Sequence, residues 1–347
     1  MTALNIDINN CRYKAMIGVG GVGSGMFFLL NGDHTIGREE SRSGSFIDRR
    51  DYCKLHIISH YVQILLGTDF KVIPIGLVGD DDVGNNLMNE MSDAGFTMDF
   101  MERSPGSQTL FSFCFIYPDG SGGNLTTDDS ACSKVDGYFV EKAKRKFEQF
   151  RGQGIVLAAP EVSLEARNRL LELGSDYNFF RVASFTSEEM HSVIQSDILS
   201  RTDLLAINFD EAAAAVEMPV DDNNPLSVIE AVIEKLGGIK GDMNISITKG
   251  KEGSWSWDGS DLHHVPIHQA EVESTAGAGD AHLAGLIVGL TAGLSLQDAQ
   301  ELATLVGSLS VTSPHTINKD IDRESLRLFA DSSAQAIKKN IYNILEK

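Results

Sequence analysis

The chain has 347 residues, 42% of them hydrophobic, which is enough for a large core in one α/β domain with appendages. Its net charge of −20 at pH 7 argues against non-specific binding to nucleic acids or anionic membrane surfaces, since both would repel it. Residues 1–15 lack the apolar core of a secretory signal, and no apolar run is long enough for a membrane-spanning helix. The 4 cysteines are scattered without a C-x-x-C pair, which indicates reduced thiols and a cytoplasmic protein.

The amino-terminal part predicts two short strands around a glycine-rich turn. A strand over 13–19 runs into Gly18-Val-Gly-Gly-Val-Gly23, and a second strand follows over 26–30. Read literally, this turn spells G-x-G-x-x-G, the motif of NAD(P)-binding proteins, but that fold needs a helix directly after the turn. A close backbone approach to a small substrate explains the glycines equally well. An NAD(P)-binding enzyme therefore stays open as an alternative.

The next segment is polar, carries arginines and leads into a helix. We expect this helix over 51–66, because apolar residues recur on one face and Gly67 suits its end. Arg38, Arg42 and Lys54 favour a substrate with an anionic or strongly polar group, since guanidinium groups bind oxyanions through paired hydrogen bonds. The alternative is that the arginines are solvated and pair with neighbouring glutamates.

Strands and helices then alternate along most of the chain. A strand over 73–78 and a helix over 86–94 precede a strand over 110–117, which ends at a turn, Pro118-Asp119-Gly120. The later pattern predicts helix 138–150, strand 154–159, helix 163–173, strand 178–183, helix 187–200, strand 203–207, helix 225–236, strand 243–248 and helices 281–293, 296–310 and 324–345. Such alternation is typical of a parallel sheet with helices on both faces.

A turn of small residues at the start of helix 281–293 carries the strongest functional signal. The backbone N–H groups of Gly277, Ala278 and Gly279 have no partner within the helix, and the helix dipole adds positive potential there. The turn is therefore a candidate anion site. Asp280 would repel an anion in that position, but it suits the general base that takes a proton from a hydroxyl attacking a phosphoryl group.

Several stretches resemble signature segments of the PfkB/ribokinase family of sugar and nucleoside kinases. Gly-Ala-Gly-Asp at 277–280 is similar to the family core, and the segment from Ile75 to Gly84 is similar to the family's Ile-Gly-x-Val-Gly-x-Asp-x-x-Gly block. Asn208-Phe-Asp-Glu211 matches the Asn-x-x-Glu element, and the segment from Thr248 to Gly253 resembles the Thr-x-Gly-x-x-Gly turn. The resemblance extends from about residue 15 to residue 320.

This resemblance implies a fold, an activity and a set of site residues. The expected fold is a single domain over 1–347, a ribokinase-like three-layer α/β sandwich whose mainly parallel sheet carries a small β lid from about 24–45 and 109–128. The implied activity is transfer of the ATP γ-phosphoryl group, with Mg²⁺, to a hydroxymethyl group of a sugar or, alternatively, a nucleoside. The implied nucleotide contacts are Asn208, Thr248, Lys249, Gly250, Gly253 and Thr312, with Glu211 near the metal and Gly20, Gly21, Gly44, Lys54 and Glu161 at the substrate. Family lids often pair, so a homodimer is also possible.

Departures from the family pattern fall on the substrate side and at the edge of the ion site. Ser274 occupies a position where many members carry an aspartate of a monovalent-cation site, which argues against potassium activation. Gly23 lies near the position of an aspartate that binds sugar hydroxyls in many members. The usual Gly-Gly-x-x-x-Asn is replaced by Ser43-Gly44-Ser45 and, roughly, Lys54. The sequence therefore predicts how a phosphoryl group is moved more sharply than it predicts the acceptor.

Overall fold

The computed structural model describes residues 1–119, 122–220 and 224–346, in which the chain forms two sheets and a set of covering helices. The strands are β1 (Ala15–Val19), β2 (Gly23–Leu30), β3 (Gly44–Tyr52), β4 (Lys71–Gly79), β5 (Phe100–Ser104), β6 (Leu110–Ile116), β7 (Gly122–Thr126), β8 (Gly154–Ala158), β9 (Phe180–Ala183), β10 (Leu204–Asn208), β11 (Asn244–Thr248), β12 (Ser254–Trp257) and β13 (Leu262–Val265). The α-helices are α1 (Lys54–Leu66), α2 (Asp82–Asp93), α3 (Gly137–Glu141), α4 (Lys144–Gln149), α5 (Leu164–Asp176), α6 (Met190–Gln195), α7 (Phe209–Val216), α8 (Pro225–Ile239), α9 (Ala278–Thr291), α10 (Leu296–Ser310), α11 (Arg323–Ser332) and α12 (Lys339–Leu345).

The larger sheet has nine strands in the order β13-β12-β11-β10-β9-β8-β1-β4-β5. The seven strands β11, β10, β9, β8, β1, β4 and β5 are parallel, and at one edge β12 pairs antiparallel with both β11 and β13. One apolar cluster packs α1, α9 and α10 against one face, and a second packs α3, α5, α7 and α8 against the other. The expected three-layer α/β sandwich is thus confirmed.

The smaller sheet is the expected lid, with strands in the order β3-β2-β6-β7. Cross-strand register divides its side chains into two faces, because residues directly opposite each other point the same way. Gly25, Asp51 and Ser112 are register partners on one face. Met26, Phe113 and Leu125 are register partners on the opposite face. Of the predicted turn after β6, Gly120 lies outside the described residues.

Several element boundaries differ from the sequence expectation. The predicted helix 51–66 begins only at Lys54, because the preceding residues form β3 and pair with β2. Strand β5 and the β12–β13 hairpin were not predicted, and helix 138–150 is split into α3 and α4. The predicted helix 187–200 is reduced to α6 (Met190–Gln195). The predicted helix 324–345 is interrupted at Ser333, whose hydroxyl bonds the ring of His268 and the N–H of Gln335 instead of continuing the helix.

Two further observations bear on the class of protein. All of Cys11, Cys53, Cys114 and Cys132 are free thiols, as the scattered spacing predicted. Across the described residues, the helices are too short or too polar to cross a membrane.

Candidate active site

The turn before α9 is held in an unusual backbone conformation. Gly277, the residue before the helix, has φ +80°, a left-handed conformation that suits glycine. A Cβ at this position would lie 2.5 Å from the carbonyl oxygen of Thr316, so the turn also requires the absence of a side chain. The helix begins at Ala278, three residues earlier than expected, so Asp280 lies inside its first turn.

Asp280 lies at the wall of a cavity of about 590 Å³. Burial raises the pKa of the Asp280 carboxyl group, and Lys54 opposes that rise. Lys54 is itself in an acidic environment: burial opposes its charge, but Asp280, Glu211 and Glu161 together raise its pKa. A base with a raised pKa beside a fixed cation is suited to proton abstraction near neutral pH.

Asn208 and Glu211 form a reciprocal cap at the start of α7. The Asn208 side chain accepts a hydrogen bond from the Glu211 N–H at 2.8 Å, and Glu211 Oε2 accepts one from the Asn208 N–H at 2.8 Å. The other carboxylate oxygen of Glu211, Oε1, lies 3.7 Å from Lys54 Nζ. Capping therefore explains the Asn-x-x-Glu spacing locally, and it also fixes the Glu211 carboxylate at the cavity wall.

Most of the predicted nucleotide residues line the same cavity. Thr248, Gly250 and Gly253 lie on its wall together with Asn208. Lys249 is not part of that wall, and its ammonium group lies 4.7 Å from the centroid of the Phe209 ring. The wall at the end of α10 is formed by Val311, whereas the Thr312 hydroxyl donates to the Leu309 carbonyl. The candidate anion turn lies at the same cavity. The cavity wall includes Ala278, Gly279 and Asp280, and Gly277 directly precedes them.

The substrate-side candidates Gly20, Gly21 and Glu161 lie close together. Glu161 has a left-handed backbone, φ 74°, which is uncommon for a residue with a side chain. A Cβ on Gly21 would lie 2.4 Å from the Glu161 Cβ, and one on Gly20 would lie 3.3 Å from the Pro160 carbonyl oxygen. Glu161 Oε2 is buried without a hydrogen-bond partner. A buried, unpaired carboxylate oxygen behind a glycine turn is a candidate acceptor for a ligand hydroxyl.

Lys54 belongs to the site, but Gly44 does not lie beside it. Gly44 pairs with Leu30 at the far end of the lid hairpin. Since a strand rises about 3.3 Å per residue, Gly44 is roughly 23 Å along β3 from Asp51. The expected substrate contact through Gly44 therefore has no geometric support.

Of the residues predicted to bind an anionic group, Lys54 lines the cavity, whereas Arg38 and Arg42 do not. Arg42 bonds Glu40 within the lid hairpin, at 2.7 Å. Arg50 pairs with Glu90 at 3.1 Å. Neither Arg42 nor Arg50 is part of the cavity wall. The glutamate pairing of the alternative describes Arg42 correctly, but its side chain is only 5% exposed and is therefore not solvated.

The glycine turn of 18–23 does not continue as a dinucleotide-binding motif. Gly23 opens β2, a lid strand, where the NAD(P) motif requires a helix. The turn serves close packing instead: a Cβ on Gly18 would lie 2.7 Å from Leu55 Cδ1. The NAD(P) alternative therefore loses its structural basis.

Sequence reasoning missed parts of the site that carry no motif. The segment 267–270 lines the cavity beyond the unpredicted hairpin, including His268, and His282 lines it from α9. Burial lowers the pKa of His282 to about 4, so the imidazole is neutral near pH 7. Asp51, expected within a helix, lies at the end of β3. Short irregular segments have no periodicity, so pattern analysis could not locate them.

In the described residues, no group of three or more His, Cys, Asp or Glu side chains is arranged to hold a metal ion. A metal at this site would therefore need ligands from a bound molecule or from water.

Comparison with known proteins identifies the family. Residues 62–323 match the profile of the pfkB family carbohydrate kinases. A ribokinase of Lactococcus lactis is 30% identical over 131 residues, which are 38% of this chain and 42% of that protein. The matched segment thus covers less than half of that relative's length.

Solved structures match over nearly the whole chain, at low identity. The ribokinase of Cryptococcus neoformans in complex with ADP has a TM-score of 0.74 and 17% identity, covering 91% of this chain and 99% of that one. A Burkholderia thailandensis nucleoside kinase in complex with inosine has a TM-score of 0.71 and 14% identity, covering 93% and 99%. These likenesses support a ribokinase-like fold, and with the profile match they lead to one conclusion: the chain belongs to the pfkB family of carbohydrate kinases.

Proposed function

We propose that this protein transfers the γ-phosphoryl group of ATP to a hydroxymethyl group of a sugar or sugar-like molecule, with Asp280 as general base. The observation that carries the proposal is the juxtaposition of Asp280 with the small-residue helix start of 277–279 at one end of a large cavity. A carboxylate base next to backbone N–H donors is the combination that phosphoryl transfer to an alcohol requires.

The proposed step needs few protein groups. Asp280 takes the proton of the acceptor hydroxyl as its oxygen forms a bond to the γ-phosphorus. The bond from that phosphorus to the oxygen bridging it to the β-phosphate breaks, and ADP leaves. The N–H groups of Gly277 and Gly279 and the ammonium group of Lys54 stabilise charge on the transferred group, whereas the N–H of Ala278 donates to the Thr275 carbonyl at 3.2 Å. The lid excludes water from the acceptor, which limits hydrolysis of ATP.

The nucleotide is assigned to the cavity with Asn208, Thr248, Lys249, Gly250, Gly253 and Thr312 as its contacts or supports. ATP fits this role because the family uses it and a related structure contains ADP. Mg²⁺ keeps most of its water in such sites and binds mainly phosphate oxygens, so the single fixed carboxylate of Glu211 is sufficient on the protein side. When bound, Mg²⁺ would neutralise charge on the phosphates.

The acceptor is a sugar in the preferred proposal and a nucleoside in the alternative. Named relatives support both, since one is a ribokinase and one is a nucleoside kinase holding inosine. A coupled assay for ADP formation with ribose, fructose, sugar phosphates, inositols and nucleosides tests the proposal. Transfer to none of these acceptors would contradict it.

Two finer points accompany this proposal. We expect no potassium activation, because Ser274 supplies only a hydroxyl, whose oxygen already accepts a hydrogen bond from the Ala276 N–H.

We also propose a homodimer formed through the outer face of the lid, where Phe46 is 63% and Leu125 is 64% exposed. Analytical ultracentrifugation of the full chain distinguishes a dimer from a monomer.

A further inference from the structure

Asp51 is a carboxylate on the lid that no motif marks. It lies directly opposite Gly25 in the β2–β3 pair, and its Oδ2 accepts a hydrogen bond from the Cys114 thiol at 3.6 Å. Its Oδ2 would be only 2.7 Å from a Cβ on Gly25, so the missing side chain there makes room for the carboxylate. Asp51 is partly exposed, which leaves the group within reach of a ligand.

The end of β3 is attached to the catalytic turn on both sides of Asp51. The Thr316 N–H donates to the Arg50 carbonyl at 3.1 Å, and the Tyr52 N–H donates to the Thr316 hydroxyl at 3.0 Å. The carbonyl of Thr316 is also the atom packed against Gly277 at the start of α9. Thr316 therefore holds the backbone of Asp51 beside the turn that carries Asp280. Consistent with this, the negative charge of Asp280 contributes to the raised pKa of Asp51, after burial.

The residues that follow Asp51 reach the other site carboxylates. The Cys53 thiol is close enough to the Glu161 carboxyl group to lower its pKa, and Lys54 Nζ lies 3.7 Å from Glu211 Oε1. Burial raises the pKa values of Asp51, from the lid, and Glu161, from the loop after β8, and both are close enough to Asp280 for its charge to raise them further. The charge of Asp51 also contributes to the raised pKa of Glu161.

The charges on this side of the site select against an anion. Asp51, Glu161 and Asp280 are carboxylates, and the cation among them, Lys54, already lies near Glu211. A phosphate or carboxylate on the acceptor would meet like charges in a partly desolvated site, which costs free energy. Hydroxyl groups, in contrast, can donate hydrogen bonds to each carboxylate.

We propose, building on the kinase function above, that Asp51 is a specificity-determining residue. Its carboxylate and that of Glu161 accept hydrogen bonds from hydroxyl groups of a neutral polyol or sugar, and the protein discriminates against sugar phosphates and sugar acids. Asp51 binds the acceptor and takes no part in proton transfer, which belongs to Asp280.

The test compares wild type with Asp51→Asn, using Asp48→Asn as the matched control on the exposed side of the same strand. The acceptor is the neutral sugar or inositol with the highest kcat/KM in the ADP-formation screen. A hydrogen bond to a charged group contributes about 1.5–3 kcal/mol, so Asp51→Asn should raise the acceptor KM by about 10-fold or more. The KM for ATP should stay within about twofold, and Asp48→Asn should behave like wild type.

A second measurement uses acceptor analogues, and its first part needs only the unmodified protein. Analogues of the acceptor that each lack one hydroxyl are compared with the parent compound. One analogue should bind the wild-type protein more weakly than the parent compound does, by about the factor that Asp51→Asn causes for the parent compound. The same analogue should bind the Asp51→Asn variant almost as well as the parent compound does, because both changes remove the same contact.

The outcomes separate the two proposals. An unchanged acceptor KM in a folded Asp51→Asn variant, or additive losses for every analogue, overturns the assignment of Asp51 and leaves the kinase function intact. A preference of the wild-type protein for sugar phosphates or sugar acids overturns the neutral acceptor class. Absence of ATP-dependent transfer to any acceptor overturns the proposed function and this inference together.

Discussion

Glu161 yields a quantitative prediction because its carboxyl group is enclosed by protein. Burial raises the pKa of Glu161 from 4.5 to about 7. The folded protein therefore holds this proton to a higher pH than the unfolded chain does. The corresponding stability is complete below a pH of about 4.5 and is lost as the pH rises through about 7. The shift is about 2.5 pKa units, and at 1.36 kcal/mol per unit the ionised group costs the folded state at most about 3.4 kcal/mol at pH 8.

Glu161→Gln removes this titration and keeps the size of the side chain. We expect its free energy of unfolding, relative to that of wild type, to be about 2–3 kcal/mol larger at pH 8 than at pH 5, so that the variant is relatively more stable at pH 8, as measured by urea unfolding without ligand. Glu165→Gln, an exposed position in α5, is the control and should show no such pH dependence. Parallel stability curves for wild type and Glu161→Gln between these pH values would refute the reasoning.

Two further predictions concern the catalytic turn and the fixed cation. Gly277→Ala places a Cβ 2.5 Å from the Thr316 carbonyl oxygen, whereas Gly293→Ala has a similar φ, +83°, with open space around it. Both variants should lose about 1–2 kcal/mol of stability because alanine is strained in the left-handed backbone conformation. Gly277→Ala should lose additional stability through the close contact and should also have a lower kcat. Equal stability losses and equal kcat in the two variants would contradict the close contact. Lys54→Met should lower kcat at least about 10-fold and move the acid limb of the pH profile of kcat/KM to higher pH, because Lys54 lowers the pKa of Asp280. The control Lys251→Met, at the cavity wall, should leave the acid limb in place. An unmoved acid limb in Lys54→Met would contradict the role of Lys54.

The fold was predictable from the sequence because its signal is regular. Buried parallel strands such as β8 and β10 are short apolar runs, and amphipathic helices such as α5 separate them. The hydrogen-bonding needs of these elements are met locally or by the neighbouring strand. Little long-range information was therefore required to predict a helix-covered sheet.

The lid was predicted less well because its strands are partly exposed on both faces. β3 alternates irregularly between exposed and half-buried residues, and its arginines and aspartates resemble a polar loop. Its strand conformation depends on pairing with β2, which lies more than a dozen residues earlier. For the same reason Asp51 was expected in a helix, and its approach to the catalytic turn depends on Thr316, far along the chain.

The phosphoryl-transfer side was predictable since each element combines its functional groups within a few residues. Asp280 and its anion turn are contiguous, and Asn208 and Glu211 are one helical turn apart. The acceptor side has no comparable local motif, because its residues come from three separate parts of the chain. Asp51 lies on a lid strand, Lys54 at a helix start and Glu161 in a loop after β8. Gly44 illustrates the consequence, since a rough correspondence with the family pattern assigned it to the substrate, whereas the structure pairs it with Leu30 in the lid.

The central claim is that Asp280 is the general base of phosphoryl transfer, and Asp280→Asn tests it most directly. With the best acceptor from the screen, we expect kcat to fall at least about 100-fold, since general-base catalysis contributes about 10²–10⁴. The dissociation constant of the Mg²⁺–ATP complex, measured by isothermal titration calorimetry, should change little, and the exposed Asp210→Asn should retain full turnover. Near-normal turnover by a folded Asp280→Asn variant would contradict the account.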